Sequence, residues 1–131
     1  MVGIVIVSHS AKVAEGTREL AMQMASKDLR ILAAGGLEDG SIGTDAVRIQ
    51  HAVEQADSGE GVCILADLGS GILSAQTALE FLEDGLRTRT RIADAPIVEG
   101  AISASVSASI GSALDEVVGS AEEARGMQKL S

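Results

Sequence analysis

The sequence has very few residues of several kinds, and each shortage excludes a class of protein. Among its 131 residues there are one cysteine, one proline and one aromatic residue, Phe81. A lone cysteine, Cys63, allows neither an internal disulfide framework nor a cysteine metal site within one chain. Because Cys63 lies in an apolar run, we expect it to act as a small hydrophobic residue. The core has to be built from Val, Ile, Leu, Ala and Met.

Basic residues are also scarce. The chain has 10 Lys and Arg against 19 Asp and Glu, which gives a net charge of −9. This balance argues against a nucleic-acid partner, because phosphate backbones are bound by surfaces rich in Lys and Arg. An acidic surface instead predicts solubility and partners of basic character.

Long apolar segments are absent as well. No stretch approaches the ~20 apolar residues of a membrane span. The start, Met1-Val2-Gly3, has no basic stretch before an apolar run of about six residues, unlike a secretory leader. We therefore expect a cytoplasmic protein with no membrane insertion. The length predicts one domain, residues 1–131.

Strand-like and helix-like stretches alternate along the chain. Short apolar runs predict strands over residues 2–7, 29–34 and 61–66, and an exposed fourth strand over 86–92 with Arg87, Arg89 and Arg91 along one side. Helical spacing predicts helices over residues 11–26, 72–83, 114–125, one capped by Thr44, and one from about Pro96. The first helix places Val13, Ala14, Thr17, Leu20, Ala21 and Met24 on its apolar face.

This alternation predicts a three-layer α/β fold. We expect a mostly parallel open sheet with helices on both faces and the strand order 2-1-3-4. The small residues of 101–113 would let a helix approach its neighbour closely. The weak fourth strand leaves an edge that a strand from a second subunit could extend, so we predict a homodimer.

Two polar residues follow the apolar strands that this order makes neighbours. His9 comes after the first strand and Asp67 after the third, and ligands of open α/β sheets bind beyond the carboxyl ends of such strands. A carboxylate on one imidazole nitrogen fixes the tautomer and leaves the other nitrogen free as a nucleophile. Gly69-Ser70-Gly71 and Gly35-Gly36 could offer backbone N–H groups to an anion, and Ser8 and Ser10 could add hydroxyls. The pattern indicates phosphoryl transfer through a phosphohistidine.

Simpler interpretations of the same residues stay open. His9 could be a structural hydrogen-bonding residue, Asp67 a helix cap, and the glycines ordinary turns. The glycine segment lacks both the dinucleotide-binding pattern and the Lys of a nucleotide P-loop. His51 reads as a surface residue and the three arginines as a solvated edge. No cluster of His, Cys, Asp and Glu has the spacing of a metal site, so we expect no metal.

Four blocks of the sequence resemble a known family. They are Gly3-Ile4-Val5-Ile6-Val7-Ser8-His9-Ser10, Gly35-Gly36 with Ile42-Gly43-Thr44, Asp67-Leu68-Gly69-Ser70-Gly71, and Val98-Glu99-Gly100-Ala101. In this order they are similar to the phosphotransfer subunit of phosphoenolpyruvate-dependent dihydroxyacetone kinase, in the mannose class of phosphotransferase-system IIA domains. The resemblance covers most of the chain.

The resemblance implies a route for phosphate and a role for each site residue. His9 would accept phosphate on Nε2 from the histidine phosphocarrier protein and pass it to ADP on the nucleotide-binding subunit of the kinase, regenerating ATP. A separate subunit would bind dihydroxyacetone, and no cofactor is implied. Asp67 would orient His9, while Gly36, Gly69 and Ser70 would surround the phosphate. The family forms homodimers. Some members carry fused carrier domains, and we expect the phosphate of this chain to arrive from separate proteins instead.

One residue departs from the family pattern, and the acceptor has alternatives. Gly71 stands where the family more often has alanine, and we expect the change to loosen a helix start without touching the chemistry. A IIA domain of a mannose-type sugar transporter would hand phosphate to a IIB domain instead, although Ser8-His9-Ser10 favours the kinase subunit. A regulatory phosphohistidine module and a small nucleotide-binding domain are further alternatives.

Overall fold

In a computed structural model, residues 1–130 form a four-stranded parallel sheet flanked by helices. The strands are β1 (Gly3–Ser8), β2 (Ile31–Gly35), β3 (Val62–Ala66) and β4 (Thr90–Ile92). The helices are α1 (Ala11–Met24), α2 (Ala46–Ala56), α3 (Ser70–Phe81), α4 (Asp84–Thr88), α5 (Ile97–Ser109) and α6 (Leu114–Glu123), followed by a 3₁₀ turn (Ala124–Gly126). The strand order is β2-β1-β3-β4. The predicted order and α/β class are confirmed.

The central strands supply the cores of both faces of the sheet. Successive side chains of a strand point to opposite faces, so an apolar run buried on both sides serves two layers of helices. Ile4 and Ile6 of β1 pack with α1, α5 and α6 on one face. Val5 and Val7 of the same strand pack with α2 and α3 on the other. The three layers follow from this alternation.

The helices approach the sheet closely through small residues. Ala101, Ala104 and Ala108 of α5 are fully buried, as the composition of 101–113 predicted. The core is aliphatic, and Phe81 lies exposed at the end of α3. Methionine was expected in the core, but none of the four is buried. Among residues 1–130, no helix combines the length and the apolar composition needed to cross a membrane.

Cys63 lies inside β3 and is fully buried. Burial raises the pKa of its thiol to about 12. The reactive thiolate is therefore absent at neutral pH. The prediction that this residue serves as a small hydrophobe is confirmed.

The fourth strand is shorter than predicted, and a helix precedes it. Residues 84–88 form α4, and only residues 90–92 pair with β3. The alternating segment contains Leu86, whose side chain is buried from a helical turn rather than a strand. Arg87 pairs with Asp84 inside that helix at 2.5 Å, which a strand would not allow. Tertiary burial of one leucine therefore overrides a strand-like alternation.

The predicted apolar face of α1 is wrong in part. The structure buries Ala14, Thr17 and Ala21 and leaves Val13, Leu20 and Met24 exposed. A methyl group on Gly35 of β2 would collide with the start of α1, so the helix sits too close for large side chains. Its small residues therefore face the sheet.

The predicted cap of α2 is also wrong by one residue. Asp45, not Thr44, is the N-cap, and its carboxylate accepts the N–H groups of Val47 and Arg48 at 2.9 and 3.4 Å. Aspartate and threonine both serve as caps, so the sequence alone did not separate adjacent candidates. The ends of α1, α3 and α6 lie within two residues of the predicted ends.

Arg89 is not merely a solvated edge residue, because it pairs with Asp57 at the end of α2. Its guanidinium donates to both carboxylate oxygens at 2.6 and 3.2 Å, and the N–H of Gly59 donates to the same carboxylate at 3.0 Å. The Arg89 guanidinium is the main reason that the pKa of Asp57 lies below its usual value. The pair ties the α2–β3 connection to the start of β4.

We expect Asp57→Ala to lower the free energy of unfolding by about 1–3 kcal/mol, because it leaves the Arg89 guanidinium and the N–H groups of Gly59 and Gly61 without their acceptor. The Asp57 carboxylate stabilises the fold fully above the ordinary carboxyl pKa, and this contribution is lost as pH falls through the lowered pKa. Urea unfolding at pH 7 and in acid measures both effects. If the difference in the free energy of unfolding between parent and variant stayed constant down to acid pH, the stabilising role of the ionised Asp57 carboxylate would be contradicted.

Candidate functional site

His9 and Asp67 meet at the carboxyl edge of the two central strands. His9 directly follows β1 and Asp67 directly follows β3, and the pairing of Val7 with Ala66 places the two strand ends side by side. β1 leads to β2 on one side and β3 leads to β4 on the other, so this is the point where the sheet order reverses. Such a switch point leaves a crevice open to ligands.

The Asp67 carboxylate holds the His9 ring in one orientation. Its Oδ1 lies 2.9 Å from His9 Nδ1, and its Oδ2 accepts the His9 backbone N–H at 2.9 Å and the Ser8 hydroxyl at 2.8 Å. Burial would raise the pKa of Asp67, but these hydrogen bonds outweigh it and the pKa lies below its usual value. An ionised Asp67 keeps the proton of neutral His9 on Nδ1 and leaves the lone pair on Nε2. The helix-cap interpretation of Asp67 is wrong.

The free side of the His9 ring faces the start of α3. Nε2 lies 2.6 Å from Ser70 Oγ. Gly69 precedes the helix with a φ of +69°, and no side chain caps this end. The N–H groups of Gly69 and Ser70 have no hydrogen-bond acceptor among residues 1–130. A group of negative charge on Nε2 would thus meet a hydroxyl and the positive end of a helix.

Two of the predicted phosphate ligands are committed elsewhere. The Ser8 hydroxyl is buried, donates to Asp67 and accepts the N–H of Ser10 at 3.1 Å. The N–H of Gly36 donates to the Ser8 carbonyl at 3.2 Å. Both groups therefore fix the backbone beside His9, and their predicted contact with phosphate stays a prediction. The sequence could place these residues near the site but not show which partner each hydrogen bond takes.

The Ser10 hydroxyl caps a helix and can still donate a hydrogen bond. Its Oγ accepts the N–H of Val13 at 3.3 Å and so caps α1. No acceptor for its hydroxyl proton is found among residues 1–130. Its phosphate contact stays a prediction, together with those of Gly69 and Ser70.

The loop between β2 and α2 contributes contacts that the sequence analysis missed. Gly43 donates its N–H to the His9 carbonyl at 2.9 Å. The hydroxyls of Thr44 and Ser74 lie 2.6 Å apart, and Thr44 also donates to the Ser70 carbonyl at 3.3 Å. These bonds tie the loop to the backbone of His9 and to the first turns of α3. The Gly43-Thr44 pair in the resemblance was the one signal for them.

Three further expectations concern residues around the site. His51 lies exposed on α2, as predicted. Within the part of the chain that the structure describes, no three His, Cys, Asp or Glu side chains are grouped to hold a metal ion. Gly71 was expected to lie apart from the chemistry, and this is wrong. A methyl group there would overlap Asp67 Oδ1, the oxygen that binds His9 Nδ1.

We expect Gly71→Ala to slow phosphoryl uptake by His9 roughly tenfold, because a small displacement of an orienting group is costly in transfer reactions. The free energy of unfolding should change little, since the helix preference of alanine offsets the strain at the Asp67 carboxylate. Rapid-quench measurement of uptake, with urea unfolding alongside, separates the two effects. Gly16→Ala in α1, where an added methyl group meets no atom within 4 Å, is the matched control. Equal uptake rates for both variants would refute the steric argument.

The fold and the geometry of the site define a class of protein. It is an open α/β domain whose sheet presents, at its switch point, a carboxylate-oriented histidine to the bare start of a helix. Residues 3–118 match the EIIA-man family, described as the PTS system fructose IIA component. The chain belongs to this family.

Two similar proteins are phosphoryl donor subunits of a kinase. The chain is 42% identical, over 95% of its length, to a Providencia stuartii protein named PEP-dependent dihydroxyacetone kinase, phosphoryl donor subunit DhaM. That match covers 27% of the relative, so the chain spans about a quarter of its length. A Listeria innocua protein, PEP-dependent dihydroxyacetone kinase 2, phosphoryl donor subunit DhaM, is 44% identical over 81% of the chain and 85% of itself. The predicted resemblance is confirmed.

A solved structure has the same fold. It is described as a protein of unknown function, EF1359, and matches with a TM-score of 0.87 and 33% sequence identity. The match covers 100% of both chains. Its similarity therefore extends over every element that positions the site.

Proposed function

We propose that this chain carries a phosphoryl group on His9 for a phosphoenolpyruvate-dependent dihydroxyacetone kinase. His9 accepts the group from the histidine phosphocarrier protein and passes it to ADP bound on the nucleotide-binding subunit, which regenerates ATP in place. A separate subunit binds dihydroxyacetone and meets the carrier only indirectly. The contact between His9 Nδ1 and Asp67 at 2.9 Å carries the proposal, because it fixes Nε2 as the nucleophile. The names of the relatives support the kinase as the acceptor system.

Two displacements at phosphorus make up the proposed cycle. In the first, the Nε2 lone pair forms a bond to phosphorus as the donor's nitrogen–phosphorus bond breaks. His9 then has a phosphoryl group on Nε2 and a proton on Nδ1, and Asp67 stabilises the resulting positive ring. In the second, a terminal oxygen of ADP forms the new bond while the Nε2–phosphorus bond breaks. The ring returns to its neutral form.

The surroundings of Nε2 support transfer rather than storage of the phosphoryl group. The Ser70 hydroxyl and the unpaired N–H groups at the start of α3 can donate to phosphoryl oxygens. No arginine or lysine is hydrogen-bonded to His9, Asp67 or Ser70 among residues 1–130. Catalysis in such reactions consists mainly of positioning and charge stabilisation.

The identity of the acceptor is the part of the proposal to test. The family description names a IIA component of a transport system, and a transporter IIB domain is the competing acceptor. The chain is phosphorylated with phosphoenolpyruvate, enzyme I and the phosphocarrier protein, then mixed with either acceptor. We expect rapid loss of phosphate and formation of ATP with the ADP-loaded kinase subunit. Transfer to the IIB domain alone would overturn the kinase assignment. Transfer to neither would favour a regulatory phosphohistidine module.

Three further properties accompany this proposal. Residues 1–131 act as one phosphotransfer domain, two copies form a homodimer, and the partners place it in the cytoplasm. The short β4 forms one edge of the sheet and is the place where a strand of a second copy would pair. Sedimentation of the purified chain tests the dimer.

A further inference from the structure

The hydroxyl of Thr44 is not used by the helix that follows it. Asp45 caps α2 with its carboxylate, so the Thr44 side chain has no part in starting that helix. It reaches α3 instead, where it donates to the Ser70 carbonyl at 3.3 Å and lies 2.6 Å from the Ser74 hydroxyl. Because the Thr44 proton points to that carbonyl, the Ser74 hydroxyl donates to Thr44. The β2–α2 loop is thus bonded to the first turn of a helix that lies 26 residues further along the chain.

The segment that Thr44 contacts has few other restraints. Ser70 stands between Gly69 and Gly71, Gly69 has a φ of +69°, and no side chain caps α3. Among residues 1–130, the bond from Thr44 is the one hydrogen bond that another element makes to the backbone of residues 68–70. Two glycines beside a serine leave its backbone a wide choice of conformations. The position of the Ser70 backbone therefore depends on Thr44.

The placement of Ser70 matters to the chemistry. Its Oγ lies 2.6 Å from His9 Nε2, and with the ring proton on Nδ1 the hydroxyl donates to the Nε2 lone pair. Phosphorus bonds through the same lone pair, so the hydroxyl has to turn from the nitrogen to a phosphoryl oxygen, and it keeps its proton throughout. While the backbone of Ser70 is held, this exchange needs rotation about one side-chain bond only. A loose backbone would add the cost of ordering it to each transfer.

The residue before Thr44 holds the other half of the site. Gly43 donates its N–H to the His9 carbonyl at 2.9 Å. Two consecutive residues of one loop therefore fix the backbone that carries the nucleophile and the backbone that carries the hydroxyl facing it. The distance between the His9 ring and Ser70 is set from both sides by this loop.

We propose that Thr44 is a positioning residue for phosphoryl transfer, which acts by holding Ser70 at His9 Nε2. Thr44 forms no hydrogen bond with the His9 ring among residues 1–130, so its effect passes through the Ser70 backbone. This inference rests on the proposed function and adds a residue to that site. Because Thr44 acts on the alignment of the reacting groups, it changes the rate of transfer and leaves the affinity for the donor protein unchanged.

Removing the Thr44 hydroxyl alone tests the proposal. Thr44→Val keeps the shape of the side chain, and we expect the maximal rate of uptake from the phosphocarrier protein to fall roughly tenfold, with the half-saturating carrier concentration unchanged. Thr44→Ser keeps the hydroxyl and should retain most of the rate. Thr77→Val is the matched control, because the Thr77 hydroxyl donates at 3.0 Å to the Leu73 carbonyl within the same helix, α3. Urea unfolding of each variant checks the fold.

A double-mutant cycle tests whether Thr44 acts through Ser70. Ser70→Ala removes the hydroxyl that Thr44 positions and should itself slow uptake. Thr44→Val added to Ser70→Ala should then change the rate less than about twofold, because both changes remove the same contribution. Uptake from phosphoramidate, a small donor that needs no docking surface, should show the same coupling.

The outcomes separate positioning from function. Parent-like uptake by a folded Thr44→Val variant, an equal loss in Thr44→Ser, or a full tenfold loss added to that of Ser70→Ala would overturn the role of Thr44 while phosphorylation of His9 stood. If Thr44→Val does not fold, Ser74→Ala removes the donor that orients the Thr44 hydroxyl, and parent-like uptake by that variant would overturn the role as well. A parent chain that takes phosphate from neither donor would overturn the proposed function and this inference with it.

Discussion

Replacing His9 with glutamine is expected to abolish phosphoryl uptake and, with it, all dihydroxyacetone phosphorylation that depends on this chain. Glutamine keeps a polar group of similar reach, but its amide has no lone pair basic enough to displace a phosphoryl group. The fold should persist, because the His9 side chain is partly exposed and the buried contacts belong to β1 and Ser8. The measurement is the steady-state rate of the reconstituted kinase, with urea unfolding of the variant as a check on folding.

The chain provides its own control for this substitution. His51, the second of its two histidines, is exposed on α2 and forms no hydrogen bond with His9, Asp67 or Ser70 among residues 1–130. His51→Gln should leave the rate at the parent value. A kinase that runs at the parent rate with a folded His9→Gln variant would exclude His9 as the carrier.

Asp67→Asn is expected to slow phosphoryl uptake on the order of a hundredfold while leaving His9 in place. The amide group of asparagine can turn its N–H toward Nδ1, which favours the tautomer with the proton on Nε2. It also removes the negative charge that stabilises the phosphorylated ring. The same change weakens the bonds from the His9 N–H and the Ser8 hydroxyl, so a modest loss of stability accompanies it.

Rapid-quench measurement gives the rate of phosphoryl uptake by the variant separately from its loss of stability. Asp28→Asn, an exposed aspartate before β2, is the matched control. Because the lowered pKa of Asp67 keeps it ionised, its contribution in the parent is full at neutral pH and is lost only as pH falls through that lowered pKa. The variant should show no such acid limb. Uptake at the parent rate by a folded variant would mean that the carboxylate does not orient the ring.

The order of the sheet was predictable because its central strands are buried on both faces. A strand packed between two layers of helices is apolar along its buried length, as β1 is from Gly3 to Val7 and β3 is throughout. β4 is short and lies at an edge, where no such requirement acts, and its alternating sequence predicted too long a strand. The same limit applies to α1. Its close contact with Gly35 buries the helix face that carries small side chains and leaves the face with large side chains exposed.

The site was predictable in its position and less so in its hydrogen bonds. His9 and Asp67 follow neighbouring parallel strands, and chain direction alone brings such residues together. Which hydroxyl or amide faces the phosphate depends on competing acceptors that only the folded chain supplies. Ser8 is taken by Asp67, Gly36 by a carbonyl, and Gly71 proves to touch the orienting carboxylate.

The most direct test of the account is the intact mass of the chain after incubation with phosphoenolpyruvate, enzyme I and the phosphocarrier protein. We predict the gain of one phosphoryl group that is lost in acid, is retained in base, and maps by fragmentation to His9. An unchanged mass with carriers shown to be active, or an acid-stable phosphoryl group on a serine, would contradict a phosphohistidine at the centre of this protein's function.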